Sequence, residues 1–226
     1  MIKVENMEAY GFEHAVRGMR NPMNSWDKSD SRWDIRSDTV DTVPFFDIGQ
    51  NDLDLAQRLY NSGTEHRTYA RMIYAWMDIT APLYWWKEFD RYTVGKSQVS
   101  CSTMHKIAAK EFEVEDFSVE HLEPFNVTQI KYIIQVLNAN RDKYLRTKNK
   151  DDWWQLIQLL PSSYNQKRTV CMSYEVIFKI IKERTGHKLD EWDDFIEELR
   201  KLPYVDFFMG AKVTKECPIN ELLEGK

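Results

Sequence analysis

The chain is short of the residues that cross-link a fold or carry it through a membrane. Its three cysteines, Cys101, Cys171 and Cys217, are odd in number and far apart. That spacing excludes a disulfide framework and the usual zinc motifs, and no metal site is expected. A reducing, cytoplasmic location fits such usage. No apolar run approaches the ~20 residues that a spanning helix needs. The N-terminal stretch lacks the apolar centre of a secretory signal. Positive charge is not in excess: 31 Lys and Arg stand against 36 Asp and Glu. Sequence-independent nucleic-acid binding needs a basic face, so that class is disfavoured. A small anionic substrate stays open, because local charge in a cleft can oppose the global sign. No glycine-rich dinucleotide turn and no His-Glu-x-x-His pair occur.

What is present is aromatic, charged and helical in pattern. A length of 226 residues fits one domain, 1–226, able to bury a large core without cross-links. Alternation of Ile2, Val4 and Met7 predicts a short strand, and His14 to Met19 one or two helical turns. Ser25 to Gly49, rich in Asp, Ser and Arg, reads as a long loop or inserted turn. Asn51 or Asp52 is positioned to cap a helix running to Tyr60, with Gly63 at its end. From Tyr69 to Ile79 the alternation is clean, with Ile73, Ala75, Met77 and Ile79 on one face of a strand. A connecting loop from Lys106 leads to a long amphipathic helix over Asn126 to Lys148. Asp151 or Asp152 precedes a short helix that Pro161 stops. Val170 to Arg184 reads as a helix, and Asp190 caps another from Glu191 to Lys201. Helix dominates with at least two strands, an α+β class.

The most informative stretch is Ile79 to Lys106, ITAPLYWWKEFDRYTVGKSQVSCSTMHK. Thr80-Ala81-Pro82 reads as a helix start. The helix Leu83 to Tyr92 carries two tryptophans, so it is largely buried, yet it bears Lys87, Glu88, Asp90 and Arg91. Buried charge is costly unless paired or used by a ligand. After Gly95 comes a run of small polar side chains. A packed helix delivering charge to a hydroxyl-rich loop suits an anion or nucleotide; a core helix with an internal ion pair and a surface loop suits the pattern equally. Gly95-Lys96-Ser97 imitates the end of a phosphate-binding loop, but Asp90 stands where that motif needs glycine. Cys101 has Lys96 or His105 as a nearby base or cation. His66, His105 and His187 are further candidates for ligand contacts. Ser162 to Arg168 sets two cations before an apolar helix, where they could hold phosphate or simply face solvent.

The order of these pieces resembles the flavin-dependent thymidylate synthases, also called thymidylate-synthase-complementing proteins. In that family a strand ends in Ala-Pro, an aromatic helix follows, and an Arg-His-Arg signature runs into a Ser/Glu/Ser/Arg/Tyr loop. WMDITAPLYWWKEFDRYTVGKSQVSCST is similar. A later Leu-Pro segment, a basic residue, a helix and then Arg, His and Trp are matched by LPSSYNQKRTVCMSYEVIFKIIKERTGHKLDEW. AVRGMRNPMNS looks like the family's N-terminal Ala-Val-Arg region, so the resemblance covers roughly residues 14–26 and 52–200. It implies a helix-rich α+β fold with a small sheet packed on long helices. It also implies a homotetramer with FAD and nucleotide sites between subunits, and a reaction in which dUMP is methylated using methylene-tetrahydrofolate, reduced FAD and NADPH.

Carried over by position, Arg91 falls on the first arginine of the signature, with Tyr92 and Thr93 in place of the following His and Arg. Glu88 replaces a nucleotide-contacting glutamine. Ser100 or Cys101 falls on the active-site serine, and Thr103 on the final arginine. Lys167 falls on a phosphate-contacting arginine, Glu175 on another substrate arginine, and Arg184 and His187 on the late Arg and His. The implied catalytic residues are therefore Arg91 and Cys101. Glu88, Arg91, Ser100, Cys101, Ser102 and Lys167 would bind substrate; Tyr92, Arg184 and His187 would contact flavin. Three lost cations weaken a dianion site, at ~1.5–3 kcal/mol for each charge-assisted contact. The expectation is a divergent enzyme modifying dUMP or a related pyrimidine nucleotide. The alternatives are a non-catalytic relative that binds a nucleotide or a protein partner, and a scaffold that keeps only the fold.

Overall fold

The computed structural model describes residues 2–36 and 43–210, so Cys217 lies outside the described residues. Eight strand-forming residues open the chain as β1 (Lys3–Tyr10), and a turn at Gly11 leads into α1 (Phe12–Arg20). Gly11 has φ of +102°, and a Cβ there would run into the backbone carbonyl of Met72. Gly11→Ala is therefore expected to lower stability by about 2 kcal/mol or more, measured by urea unfolding.

The segment expected to be a loop instead pairs with itself. β2 (Arg32–Arg36) and β3 (Val43–Asp47) form an antiparallel hairpin in which Trp33 faces Phe46 and Asp34 faces Phe45. Arg32-Trp33-Asp34-Ile35-Arg36 does alternate, but the run is only five residues long, and β3 (VPFFD) shows no alternation to match it. Residues 37–42 lie outside the described residues. α2 (Gln50–Asn61) follows, and its N-cap is Gly49. Asp52 does not cap it: the side chain is fully buried and accepts from Arg20 Nε at 2.8 Å, from the Ser29 and Ser31 hydroxyls, and from the backbone N–H of Asp30 and Ser31.

A 3-10 stretch (Thr64–Arg71) precedes β4 (Tyr74–Pro82), which starts five residues later than the alternation predicted. Ala75, Met77, Ile79 and Ala81 are buried on one face, as expected. Thr80 to Pro82 end the strand rather than start a helix, and no side chain caps α3 (Leu83–Phe89). β5 (Lys96–Ser100) occupies what reads as a polar loop. Then come α4 (Pro124–Thr147), α5 (Lys150–Leu159), β6 (Asn165–Ser173), α6 (Tyr174–Arg184), α7 (Glu191–Arg200) and the short α8 (Val205–Phe208). Asn149, not Asp151 or Asp152, caps α5 by accepting from Asp151 N–H at 3.0 Å. Asp152 instead pairs with Lys143 at 2.7 Å and accepts from Thr147. The helix expected over Val170 to Arg184 begins only at Tyr174. Its first residues belong to β6, because a short apolar run such as Val170-Cys171-Met172 fits a buried strand as well as a helix. One sheet has the order β1-β4-β6-β5; the hairpin is a second, separate sheet. The class is α+β and helix-rich, as the sequence indicates.

Contacts divide the chain into two compact units. The first comprises Met1–Glu5, Asp78–Thr93 and Gln98–Val170, the second Asn6–Met77, Val94–Ser97 and Cys171–Lys226. In the first, Ile134 and Leu137 of α4 and Leu156 of α5 pack with Ile107, Phe112 and Phe117. Asn138 fastens that loop to α4 by bonding both the N–H and the C=O of Phe112. In the second, α6 and α7 bury Tyr174, Phe178, Trp192 and Phe195, with Phe12 edge-on to Tyr174. No helix among the described residues is long and apolar enough to cross a membrane.

Candidate functional site

The first unit gathers most of the residues implied at a nucleotide. α3 buries Trp85, Trp86 and Phe89 and so delivers the turn Asp90-Arg91-Tyr92 beside the strands. Trp86 is fixed by its indole N–H, which donates to the Gln166 carbonyl at 3.0 Å. The Arg168 guanidinium stacks over the Trp86 ring, 4.1 Å from its centroid. From there a continuous chain of hydrogen bonds runs through the site. Arg168 Nη1 and Gln98 Nε2 both donate to Asp90 Oδ1, at 2.8 and 2.7 Å. Arg168 Nε donates to Gln166 Oε1 at 3.0 Å, and Gln166 Nε2 donates to the Cys101 carbonyl at 2.7 Å. The Cys101 N–H donates to the Lys167 carbonyl at 2.9 Å. Cys101 is thus gripped through its backbone by β6 while its thiol side is exposed.

Alternation along β6 sets Lys167 apart from Arg168. Lys167 Nζ lies 3.2 Å from Asp78 Oδ2 and 3.4 Å from Glu5 Oε2, and Thr169 donates to Asp78 at 2.6 Å. The Asp78 hydrogen bond, against a smaller effect of burial, holds the Lys167 ammonium above its ordinary pKa. The Lys3 hydrogen bond, with the Lys167 charge adding to it, lowers the Glu5 carboxyl.

The implied residues fall into small groups. Glu88 and Arg91 meet at 3.3 Å, and Arg91 is the more open, with 71% of its side chain exposed. Ser100 ends β5 in an exposed position, and Cys101 and Lys167 are joined by backbone. The Ser102 hydroxyl oxygen accepts from the His105 N–H at 3.0 Å. Tyr92 is buried, with its ring 6.3 Å from that of Phe89. Arg184 and His187 belong to the second unit. The Arg184 guanidinium is buried 4.7 Å from the Trp192 ring centroid. His187 Nδ1 accepts from the Leu189 N–H at 3.2 Å, and its ring is half-exposed. Of the three residues implied at flavin, Tyr92 and Arg184 are engaged in the chain's own packing.

Glu175, implied to oppose a substrate phosphate, lies 4.0 Å from Arg67 Nη1 in the second unit. Burial, only partly offset by Arg67, raises its carboxyl above the ordinary value. The sequence reading missed Asp90, Gln98, Gln166 and Arg168 as a connected set. The signal was available: an alternating QKRTV segment places Gln166 and Arg168 on one strand face, and the charge on an aromatic helix demanded a partner.

No protein-family model matches the chain, and no curated protein matches it in sequence. Solved structures do match its fold. Thymidylate synthase X (ThyX) from Helicobacter pylori, in a crystal structure with FAD and dUMP, is 16% identical, with a TM-score of 0.67. The match covers 92% of this chain and 96% of that one. A second structure, of flavin-dependent thymidylate synthase ThyX from the same organism complexed with FAD and dUMP, has a TM-score of 0.64 at 18% identity, covering 92% and 97%. The chain therefore has the fold of the flavin-dependent thymidylate synthases.

Proposed function

We propose that this protein is a divergent relative of the flavin-dependent thymidylate synthases that binds a pyrimidine nucleotide such as dUMP. Its activity in this reading is one-carbon modification of that nucleotide from methylene-tetrahydrofolate, with FAD and NADPH as the reductant system. The observation that carries the reading is the fold correspondence along 92% of the chain to proteins solved with FAD and dUMP. Exposed Ser100 and Cys101 and half-buried Ser102 supply hydrogen-bonding groups. Arg91 can leave Glu88 for a phosphate at little cost, since an exposed ion pair is worth under ~1 kcal/mol. Lys167 would add a second cation. Flavin would need a seat completed by other subunits of a homotetramer, His187 being its half-exposed contact on this chain. A cytoplasmic location belongs to the same reading.

A second reading, a nucleotide-binding or protein-interaction module without turnover, is favoured by one observation. Lys167 and Arg168, cations of the implied phosphate region, are each paired with carboxylates of the same chain. The visible absorbance spectrum of the purified protein with added FAD separates the two. Retained flavin whose bands shift on adding dUMP is the expected result for the enzyme. A protein that binds dUMP and retains no flavin leaves the module alone standing.

A further inference from the structure

The second unit contains an aromatic cavity of about 340 Å³ that shares no lining residue with the nucleotide site. One wall is the β1–α1 corner, with Tyr10 and Phe12; the other is the β2–β3 hairpin, with Trp33 and Phe46. Tyr204 lines the cavity in a left-handed backbone conformation, φ +60°. Such a backbone is strained for a tyrosine and persists only where its surroundings hold it. Its hydroxyl oxygen accepts from the Ile48 N–H at 3.1 Å and reaches the Phe46 carbonyl at 3.4 Å, tying the hairpin to it. Phe12 packs edge-on to Tyr204, and Trp33 edge-on to Phe46. The walls are thus held before any ligand arrives, while Trp33 is 57% exposed and Tyr10 60%.

Glu13 and His14 are the ionisable acid and base in this mainly apolar lining. Glu13 accepts from the Trp33 indole N–H at 3.2 Å, and a carboxylate has further acceptor capacity. His14 Nδ1 lies 3.3 Å from Arg17 Nη2; arginine only donates, which assigns the ring proton of a neutral His14 to Nε2. The lining therefore offers stacking faces, an acceptor and a donor. We propose that this cavity binds a flat, amino-substituted nitrogen heterocycle. The ring lies against Trp33 and Phe46, the amino group donates to Glu13, and a ring nitrogen accepts from His14. Volume, aromatic lining and a few polar groups are what a small-molecule site requires. The inference is independent of the nucleotide reading.

The test is titration of the 226-residue protein with 2-aminopurine, whose fluorescence is quenched on stacking. Saturable quenching is expected. Trp33→Ala should weaken it by about ten-fold or more, the scale of one lost ring stack. Glu13→Gln should weaken it as well, and unsubstituted purine should compete less well than 2-aminopurine. Both variants should still unfold cooperatively, with Trp33→Ala lowered in midpoint by its lost ring pair with Phe46 and Glu13→Gln close to the parent. No saturable quenching at millimolar probe would overturn the proposal. So would quenching undiminished in Trp33→Ala, or binding that appears only after residues 211–226 are removed, which would make the chain's own tail the occupant.

Discussion

Replacing Asp52 by alanine is expected to cost about 3–5 kcal/mol, a large part of the ~5–15 kcal/mol that holds a domain folded. Asp52 is fully buried, and its partner Arg20 is nearly so. Removing the carboxylate leaves a buried guanidinium without its counter-ion. It also strands the hydroxyls of Ser29 and Ser31 and the N–H groups of Asp30 and Ser31. The effect should depend on pH in a defined direction. Burial pushes the Asp52 carboxyl up, but the Ser31 and Ser29 hydroxyls and the Arg20 guanidinium together hold it below the ordinary value. A carboxyl lowered by folding contributes its stability above the unfolded pKa and loses it as pH falls through the folded one. Urea unfolding should show the full gap between parent and Asp52→Ala at pH 7, narrowing below about pH 4. Replacing both partners with apolar residues should recover part of the loss.

Arg168→Ala should also have a large effect, because Arg168 joins stability to the site. Its side chain is 12% exposed and that of Asp90 43%. Asp90 can rehydrate, so the pair is worth less than a fully buried one. With the lost stack on Trp86, a loss of about 2 kcal/mol is expected in urea unfolding. The local effect is more specific. Without Arg168, Gln166 loses the donor that orients it, and the grip on the Cys101 carbonyl loosens. Hydrogen exchange at the Cys101 amide should rise by more than the global loss accounts for. Arg168→Lys should restore charge near Asp90 without the planar stack or the bond to Gln166. Exchange should then stay raised while stability partly recovers.

Both effects show how unevenly structure can be read from sequence. β4 and α4 were legible because their side chains repeat at the period of the element that forms, and Met77 and Leu137 are buried accordingly. α3 was legible as buried from Trp85 and Trp86 alone. Asp52 was misread because an acid just before a helical pattern looks like a cap. Its true partner is 32 residues away, and nothing local reveals it. β5 and β6 were hidden for opposite reasons. KSQVS is too short and polar to show a period, and Val170-Cys171-Met172 leads through Ser173 into α6 with no turn residue between. Reading Ser162 to Arg168 as a loop dispersed the site: Lys167 was singled out, while Arg168 and Gln166 went unconnected to Asp90.

The central claim is that this fold binds a pyrimidine nucleotide through Arg91. Calorimetric titration of dUMP into the parent protein and into Arg91→Ala tests it most directly. Arg91 is exposed, so the variant should fold and assemble as the parent does. Saturable binding to the parent is predicted, weakened by about ten-fold or more in Arg91→Ala, as loss of one charge-assisted contact requires. Absence of binding to the parent, or equal affinity in the two proteins, would contradict it.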